Sequence, residues 1–151
     1  MELSKKKSVF TANSDTLGQE LEETWHDLGI TYRRYVKSLG VGMAAGRRTV
    51  KELVKRLKNF KERVPRFRKL KKLGVDPAMV VRTGGKAAIV YGESTMGVPN
   101  SLLQSQRRAV AAAVAPQYGT GGQNLDIVLM MADDSAKGSA DPAFDAPFRV
   151  H

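Results

Sequence analysis

The stretch VKELVKRLKNFKERVPRFRKL, residues 50–70, decides the fold class of this chain. Its apolar residues recur in steps of three and four, at positions 50, 53, 54, 57, 60, 64, 67 and 70. Only a helix gathers that spacing into one stripe. Pro65 lacks a backbone donor and disfavours helix at the residue before it, so the pattern predicts either a kink or two consecutive helices there. Gly74 is placed to end the element.

Shorter elements are predicted before this helix. Residues 8–12 are β-branched and aromatic, which is typical of a strand. Ser14 can cap a helix whose leucines and tryptophan recur every three or four residues, and Gly29 can end it in a left-handed conformation. Residues 30–43 carry apolar and aromatic side chains among basic ones, with two glycines near the end, so they predict a β-hairpin or a bent strand pair.

Helices are also predicted after residue 75. Asp76 and Pro77 suit the cap and first turn of a helix that continues to about Tyr91, with a bend at Gly84-Gly85. A further helix is predicted over residues 99–116, and the apolar run at 125–132 fits either a buried strand or a helix. The sequence therefore predicts a mainly helical α+β fold in about one domain length.

The chain is strongly basic, and its charge is concentrated in one segment. Lys and Arg exceed Asp and Glu by 25 to 15, and residues 29–75 alone carry 16 basic and 2 acidic groups. A local excess of this size favours a polyanionic partner such as nucleic acid. The alternative is a helix face that is merely solvated.

The composition excludes several other classes of function. Without Cys the chain has no disulfide, thiol nucleophile or thiolate metal site, and its two His are far apart in sequence. It has no apolar run long enough for a membrane span, and its first residues lack the apolar core of a secretory signal. We therefore expect a nuclear or cytoplasmic protein that is neither secreted nor inserted in a membrane.

The basic residues of the long helix are predicted to face away from the apolar stripe. If the stripe is buried, a row of cations faces solvent. Such a row can bind the phosphates of a nucleic-acid duplex with little preference for its base sequence. The residues predicted on this outward face are Arg47, Arg48, Lys51, Lys55, Lys58, Arg66 and Lys69.

Two other motifs suggest chemistry only weakly. Residues 40–45 fit the glycine pattern G-x-G-x-x-A of dinucleotide-binding loops. The acidic residue that would bind the ribose about 20 residues later is missing, so we interpret these glycines as turn residues. Asp133 and Asp134 follow an apolar run, as paired magnesium ligands do in polymerases, although no second strand with further carboxylates is evident. They are weak metal candidates, and a solvated turn is the favoured interpretation.

Four segments in order resemble the later part of a reverse transcriptase from a non-LTR (LINE-type) retrotransposon. That family has a K-S/T segment, a K-x-L-G-V primer-grip strand and a Y-G … L-x-x-x-Q-R-R-A stretch in its thumb and connection region. The matching segments here are Lys7-Ser8, Val36-Lys37-Ser38-Leu39-Gly40-Val41, Tyr91-Gly92 and Leu102 to Ala109. The resemblance covers about residues 5–116, although Gly92 to Met96 departs from it, because no Trp follows Tyr91-Gly92.

The resemblance implies a division of the chain into three parts. Residues 1–45 would be a palm remnant whose primer-grip hairpin spans 36–41, residues 46–116 a basic helical thumb, and residues 117–151 an acidic tail that is turn-rich or disordered. Lys7 would be the weak candidate for the family's proton donor, with Lys5 or Lys6 as register alternatives. Lys37, Arg107 and Arg108 would join the outward face of the long helix in binding nucleic acid.

The same resemblance implies a fragment without activity of its own. The family's magnesium-binding aspartates lie upstream of the K-S segment, and Asp133 and Asp134 fall downstream of the thumb, so we expect no resident cofactor and no polymerisation by this chain alone. The expected partner is RNA or DNA, as a duplex primer–template. The alternatives are an independent basic nucleic-acid-binding protein and an assembly protein that binds an acidic partner.

Overall fold

The computed structural model describes residues 8–44, 49–115, 124–135 and 138–145. Within these ranges the chain is mainly helical and contains two sheets of two strands each, which confirms the α+β class at this coarse level. The chain divides into two units, Met1–Lys51 and Glu52–His151. In the described ranges, no helix has the length and apolar character needed to cross a membrane.

The first unit begins with a parallel strand pair joined through a helix. Strand β1, Val9–Phe10, pairs with β2, Thr31–Tyr32, and helix α1, Asp15–Thr24, lies between them in the chain. A 3-10 turn, His26–Leu28, follows α1. Because parallel strands need a crossover connection, the helix is what allows these two short strands to pair.

Helix α1 begins where the sequence predicts, but it ends at Thr24, and it is the following 3-10 turn that ends at Gly29. The Ser14 hydroxyl accepts a hydrogen bond from the Leu17 amide at 3.3 Å, and Gly29 has a left-handed φ of 64°. The helix packs closely on β2 through Gly18, where an added Cβ would lie 2.4 Å from the Tyr32 ring. Gly18 is the buried residue of this helix, so its predicted apolar positions are less enclosed than the pattern suggests.

The second sheet is the expected β-hairpin. Strand β3, Tyr35–Ser38, pairs antiparallel with β4, Val41–Ala44, through a two-residue turn. Leu39 and Gly40 both have positive φ, 48° and 82°, as a type I′ turn requires. Gly42 lies opposite Lys37 inside the paired strand. These glycines therefore form a turn and a strand, and not a phosphate loop that opens a helix.

The second unit is dominated by helix α2, Lys51–Lys72. The helix continues through Pro65, so the alternative of two consecutive helices is wrong. Pro65 lies on the exposed side, where water can bond the carbonyl that the missing amide leaves without a partner. Gly74, with φ 82°, ends the element as predicted, and the Val75 amide bonds back to the Leu70 carbonyl at 3.1 Å. The buried residues of α2 are Leu53, Leu57, Phe60, Val64 and Phe67.

The other helices of this unit agree with the predicted order. After α2 come α3, Pro77–Val80, a π-helical turn, Val81–Gly85, α4, Lys86–Val90, α5, Glu93–Met96, α6, Asn100–Val114, and α7, Leu125–Met131. The predicted bend at Gly84-Gly85 is the wide turn of the π-helical segment. An added Cβ on Gly85 would lie 2.9 Å from the Phe60 ring, so glycine lets α2 approach here.

The described part of the tail decides between two alternatives that the sequence left open. The run at 125–132, which fits either a buried strand or a helix, forms helix α7 over Leu125–Met131, with Val128 and Leu129 buried. A 3-10 turn, Pro142–Phe144, follows, and both elements contact α6. The acidic segment therefore packs on α6 through both elements.

Candidate nucleic-acid interface

Helix α2 carries the charge concentration that the sequence predicts. It has eleven Lys and Arg against two Glu, a net charge of +9. Its apolar stripe is buried, so the charged residues occupy the remaining surface of the helix. Nine of its basic residues are exposed, and they are Lys51, Lys55, Lys58, Lys61, Arg63, Arg66, Arg68, Lys69 and Lys72.

A straight row of cations follows the outward side of α2. Lys51, Lys55, Lys58, Arg66 and Lys69 succeed one another in helical steps of three, four or eight residues, as the sequence predicts. At 1.5 Å per residue the row is about 27 Å long. Lys51, the last residue of the first unit, also lies 5.7 Å from the ring centroid of Tyr35 in that same unit. The side chains of the other four make no hydrogen bond or ion pair with any residue in the described ranges.

Sequence reasoning missed several cations beside this row. Lys61, Arg63 and Lys72 are exposed on its flanks and broaden the basic face. Their angular positions on a helical wheel could have identified them. Glu62 lies on the row between Lys58 and Arg66 and is exposed. The other Glu of α2, Glu52, is half-buried and lies off the row.

Some basic residues of α2 serve the fold instead. The Lys71 ammonium donates hydrogen bonds to the carbonyls of Val114 and Ala115 at 3.0 and 2.9 Å. These carbonyls lie at the C-terminus of α6, where the helix dipole favours a cation. The Arg56 guanidinium donates to the Tyr91 carbonyl and lies 4.8 Å from the Tyr91 ring centroid. Lys71 and Arg56 therefore connect α2 to α6 and to the turn after α4.

The other residues predicted to bind nucleic acid or substrate are not part of α2. Arg47, Arg48 and Lys7 fall outside the described residues. The predicted primer-grip segment 36–41 forms β3, the turn and the start of β4, with the side chain of Leu39 90% exposed at the turn. Lys37 is exposed on β3. The primer-grip role of this hairpin stays a prediction.

Arg107 is held by carboxylates of the tail. Its Nε donates to both carboxylate oxygens of Asp141 at 3.0 and 3.1 Å, and one Nη donates to Asp141 at 2.8 Å and to Asp126 at 2.5 Å. The hydrogen bonds to Asp141 are the main cause that raises the pKa of Arg107. Asp141 also caps the 3-10 turn by accepting from the Ala143 amide. A phosphate would have to displace these carboxylates to reach Arg107, whereas Arg108 is exposed.

Replacing Arg107 by Ala is expected to destabilise the second unit by about 3 kcal/mol, because it leaves the buried Asp141 carboxylate without its charge partner. Arg108→Ala is the matched control, since it removes the same side chain from the next, exposed position and should change stability by less than about 0.5 kcal/mol. Urea unfolding followed by circular dichroism measures both. Equal stability of the two variants would show that Arg107 has no structural role.

Asp133 and Asp134, the weak metal candidates, bond within their own loop and to a cation. Asp133 accepts from the Ser139 hydroxyl and the Ala140 amide at 2.8 and 2.7 Å. Asp134 lies 3.8 Å from the guanidinium of Arg82. Both border a cavity of about 360 Å³ that Lys71 and Arg82 also line, and such cations disfavour a metal ion. Within the described ranges no three His, Asp or Glu side chains are grouped as metal ligands.

No known protein family matches the chain, and no curated protein or solved structure is detectably similar to it. The resemblance of residues 5–116 to reverse transcriptases therefore stays a prediction from short motifs. The interface on α2 is argued from its own burial, charge and contacts.

Proposed function

We propose that α2 binds the phosphate backbone of a nucleic-acid duplex, as the thumb-like part of a non-LTR reverse transcriptase fragment. One observation carries the proposal. The apolar stripe of α2 is buried while a row of cations about 27 Å long is exposed and largely without partners inside the described chain. Such a row complements the closely spaced charges of a duplex.

The energetics of the row favour a polyanion over solvent alone. Neighbouring cations three or four residues apart, such as Lys51, Lys55 and Lys58, repel each other and destabilise a helix by a few tenths of a kcal/mol per pair. The row therefore does not stabilise the isolated helix. A phosphate backbone relieves the repulsion, and each neutralised phosphate releases a condensed counterion.

The chemistry of the row supports binding that is not specific for sequence. Lysine ammonium groups contact phosphates as point charges, and such contacts position a protein on a duplex without distinguishing bases. The thumb-like role comes from the motif resemblance, in which this segment holds the primer–template. Catalysis in that family needs carboxylate-bound magnesium, whereas the thumb segment that α2 resembles holds the primer–template, so the role proposed for α2 is to grip the duplex.

A salt series tests the proposal on the full chain. Filter binding with two duplexes of unrelated sequence should give equal affinities whose logarithm falls linearly with the logarithm of salt concentration. Engagement of roughly five phosphates predicts a slope between about −4 and −5. A slope near zero, or a strong preference for one duplex, would contradict the proposal. Capture of an acidic protein at salt concentrations that release both duplexes would favour the assembly-protein alternative.

A further inference from the structure

Two polar side chains meet in the interior of the second unit. Glu93 opens α5 and is 1% exposed, and Gln106 lies in the middle of α6 and is 0% exposed. The amide nitrogen of Gln106 donates to Glu93 Oε1 at 2.5 Å and lies 3.4 Å from the carbonyl of Ile89. The pair therefore joins α5, α6 and the end of α4.

The remaining oxygen of each side chain has no partner among the residues that the structure describes. Both oxygens, Glu93 Oε2 and Gln106 Oε1, are buried and make no hydrogen bond there. An ionised carboxylate and an amide oxygen are both acceptors, so neither can satisfy the other. A proton on Glu93 Oε2 turns it into a donor, and a carboxylic acid and an amide then match as a cyclic pair with two hydrogen bonds. One proton thus satisfies two buried acceptors, and leaving such groups unpaired in the interior is costly.

We propose that Glu93 is a neutral carboxylic acid in the folded protein, paired with Gln106, and that this pair is a proton-dependent lock between α5 and α6. The lock lies next to the Tyr91 turn that receives Arg56 of α2. Loss of the proton places an unpaired charge in the interior and opens the contact between α5 and α6.

The surroundings of Glu93 favour the neutral form. Burial is the largest cause that raises the pKa of Glu93, the hydrogen bond from Gln106 lowers it in part, and the charge of Asp145 raises it further. Lys86 is bound to Asp145 at 2.7 Å. The charged groups on the neighbouring elements include Arg56 on α2, Arg82 in the π-helical turn, Lys86 on α4, Arg107 on α6 and Asp145 after the 3-10 turn. Each of the four cations has an acceptor other than Glu93.

The sign of the pH dependence follows from the raised pKa. A group whose pKa is higher in the folded than in the unfolded state stabilises the fold fully below the unfolded value, and this contribution is lost as pH rises through the folded value. We therefore expect the lock to be closed at acid pH and to open on the alkaline side of the usual Glu pKa of about 4.3.

Two measurements on the full chain test the lock. Carboxyl ¹³C NMR should show Glu93 titrating at higher pH than the usual Glu pKa of about 4.3. The urea midpoint of unfolding should fall between about pH 5 and about pH 9 in the wild type and in Glu62→Gln, which keeps every other titrating group. Glu93→Gln mimics the protonated acid, so the part of the fall in urea midpoint that ionisation of Glu93 causes should be missing in this variant. Titration of Glu93 at or below the usual Glu pKa of about 4.3 would overturn the proposal, and so would equal pH slopes in all three proteins. If Glu93→Gln fails to fold, the NMR titration of the wild type decides.

Discussion

Replacement of Leu57 by Asp is expected to unfold the second unit. Leu57 is 5% exposed and belongs to the buried stripe of α2. Losing a buried leucine side chain costs about 3 to 5 kcal/mol, and burying an unpaired carboxylate adds further cost. A domain of this size is stable by only about 5 to 15 kcal/mol. The variant should therefore lose most of its helical circular dichroism signal at 25 °C.

Val54→Asp is the matched control for this loss. Val54 lies three residues earlier in the same helix and is 50% exposed. Valine and aspartate have similar helix propensities, and an aspartate in the first turn interacts favourably with the helix dipole. The control should stay within about 0.5 kcal/mol of the wild type. If both variants melt like the wild type, the stripe does not hold this unit together.

Reversing Lys55, Lys58 and Lys69 to Glu is expected to weaken duplex binding by two to three orders of magnitude at about 0.1 M salt. Each lost phosphate contact costs nearly one order of magnitude under these conditions, and three of the roughly five expected contacts are removed. The slope of log affinity against log salt should flatten to about −2 by the same rule. Because phosphate contacts carry no sequence information, all duplexes should be affected alike. Filter binding across a salt series gives both quantities.

Two controls separate the basic face of α2 from net charge. Reversal of Lys5, Lys6 and Lys7 to Glu changes the net charge equally but leaves α2 intact, and it should weaken binding far less. Glu62→Gln removes the acidic residue from the row and should strengthen binding a few-fold. Equal losses in the two triple variants would mean that overall charge, and not the face of α2, determines the affinity.

The elements that sequence reasoning predicted correctly are those specified by local rules. The apolar repeat of residues 50–70, the Ser14 cap and the left-handed turns at Gly29 and Gly74 each depend on residues within one or two turns of each other. The Leu39-Gly40 hairpin turn is of the same kind. The outward row of α2 was predictable for the same reason, since helical periodicity alone places Lys55 and Lys58 opposite the stripe.

Sequence reasoning could not assign roles to cations whose partners are distant in the chain. Arg107 resembled a nucleic-acid contact, yet it binds Asp141, which is 34 residues away. Lys71 belongs to the same basic run as Lys69, but its ammonium caps α6 at Val114, 43 residues away. Charge and periodicity do not distinguish these lysines, because only the packing of α6 against α2 decides which of them meets a carbonyl.

The sequence alone was thus enough for the helical class of this chain, the C-terminal end of α2 and the side of α2 that is basic, since these follow from backbone conformation and spacing over a few residues. The tertiary structure decided that α7 is a helix and which cations are used inside the fold. It also decided that Gln106, placed by periodicity on the apolar side of α6, meets Glu93. Burial makes that contact consequential, because an unpaired polar group costs little in water and several kcal/mol in the interior.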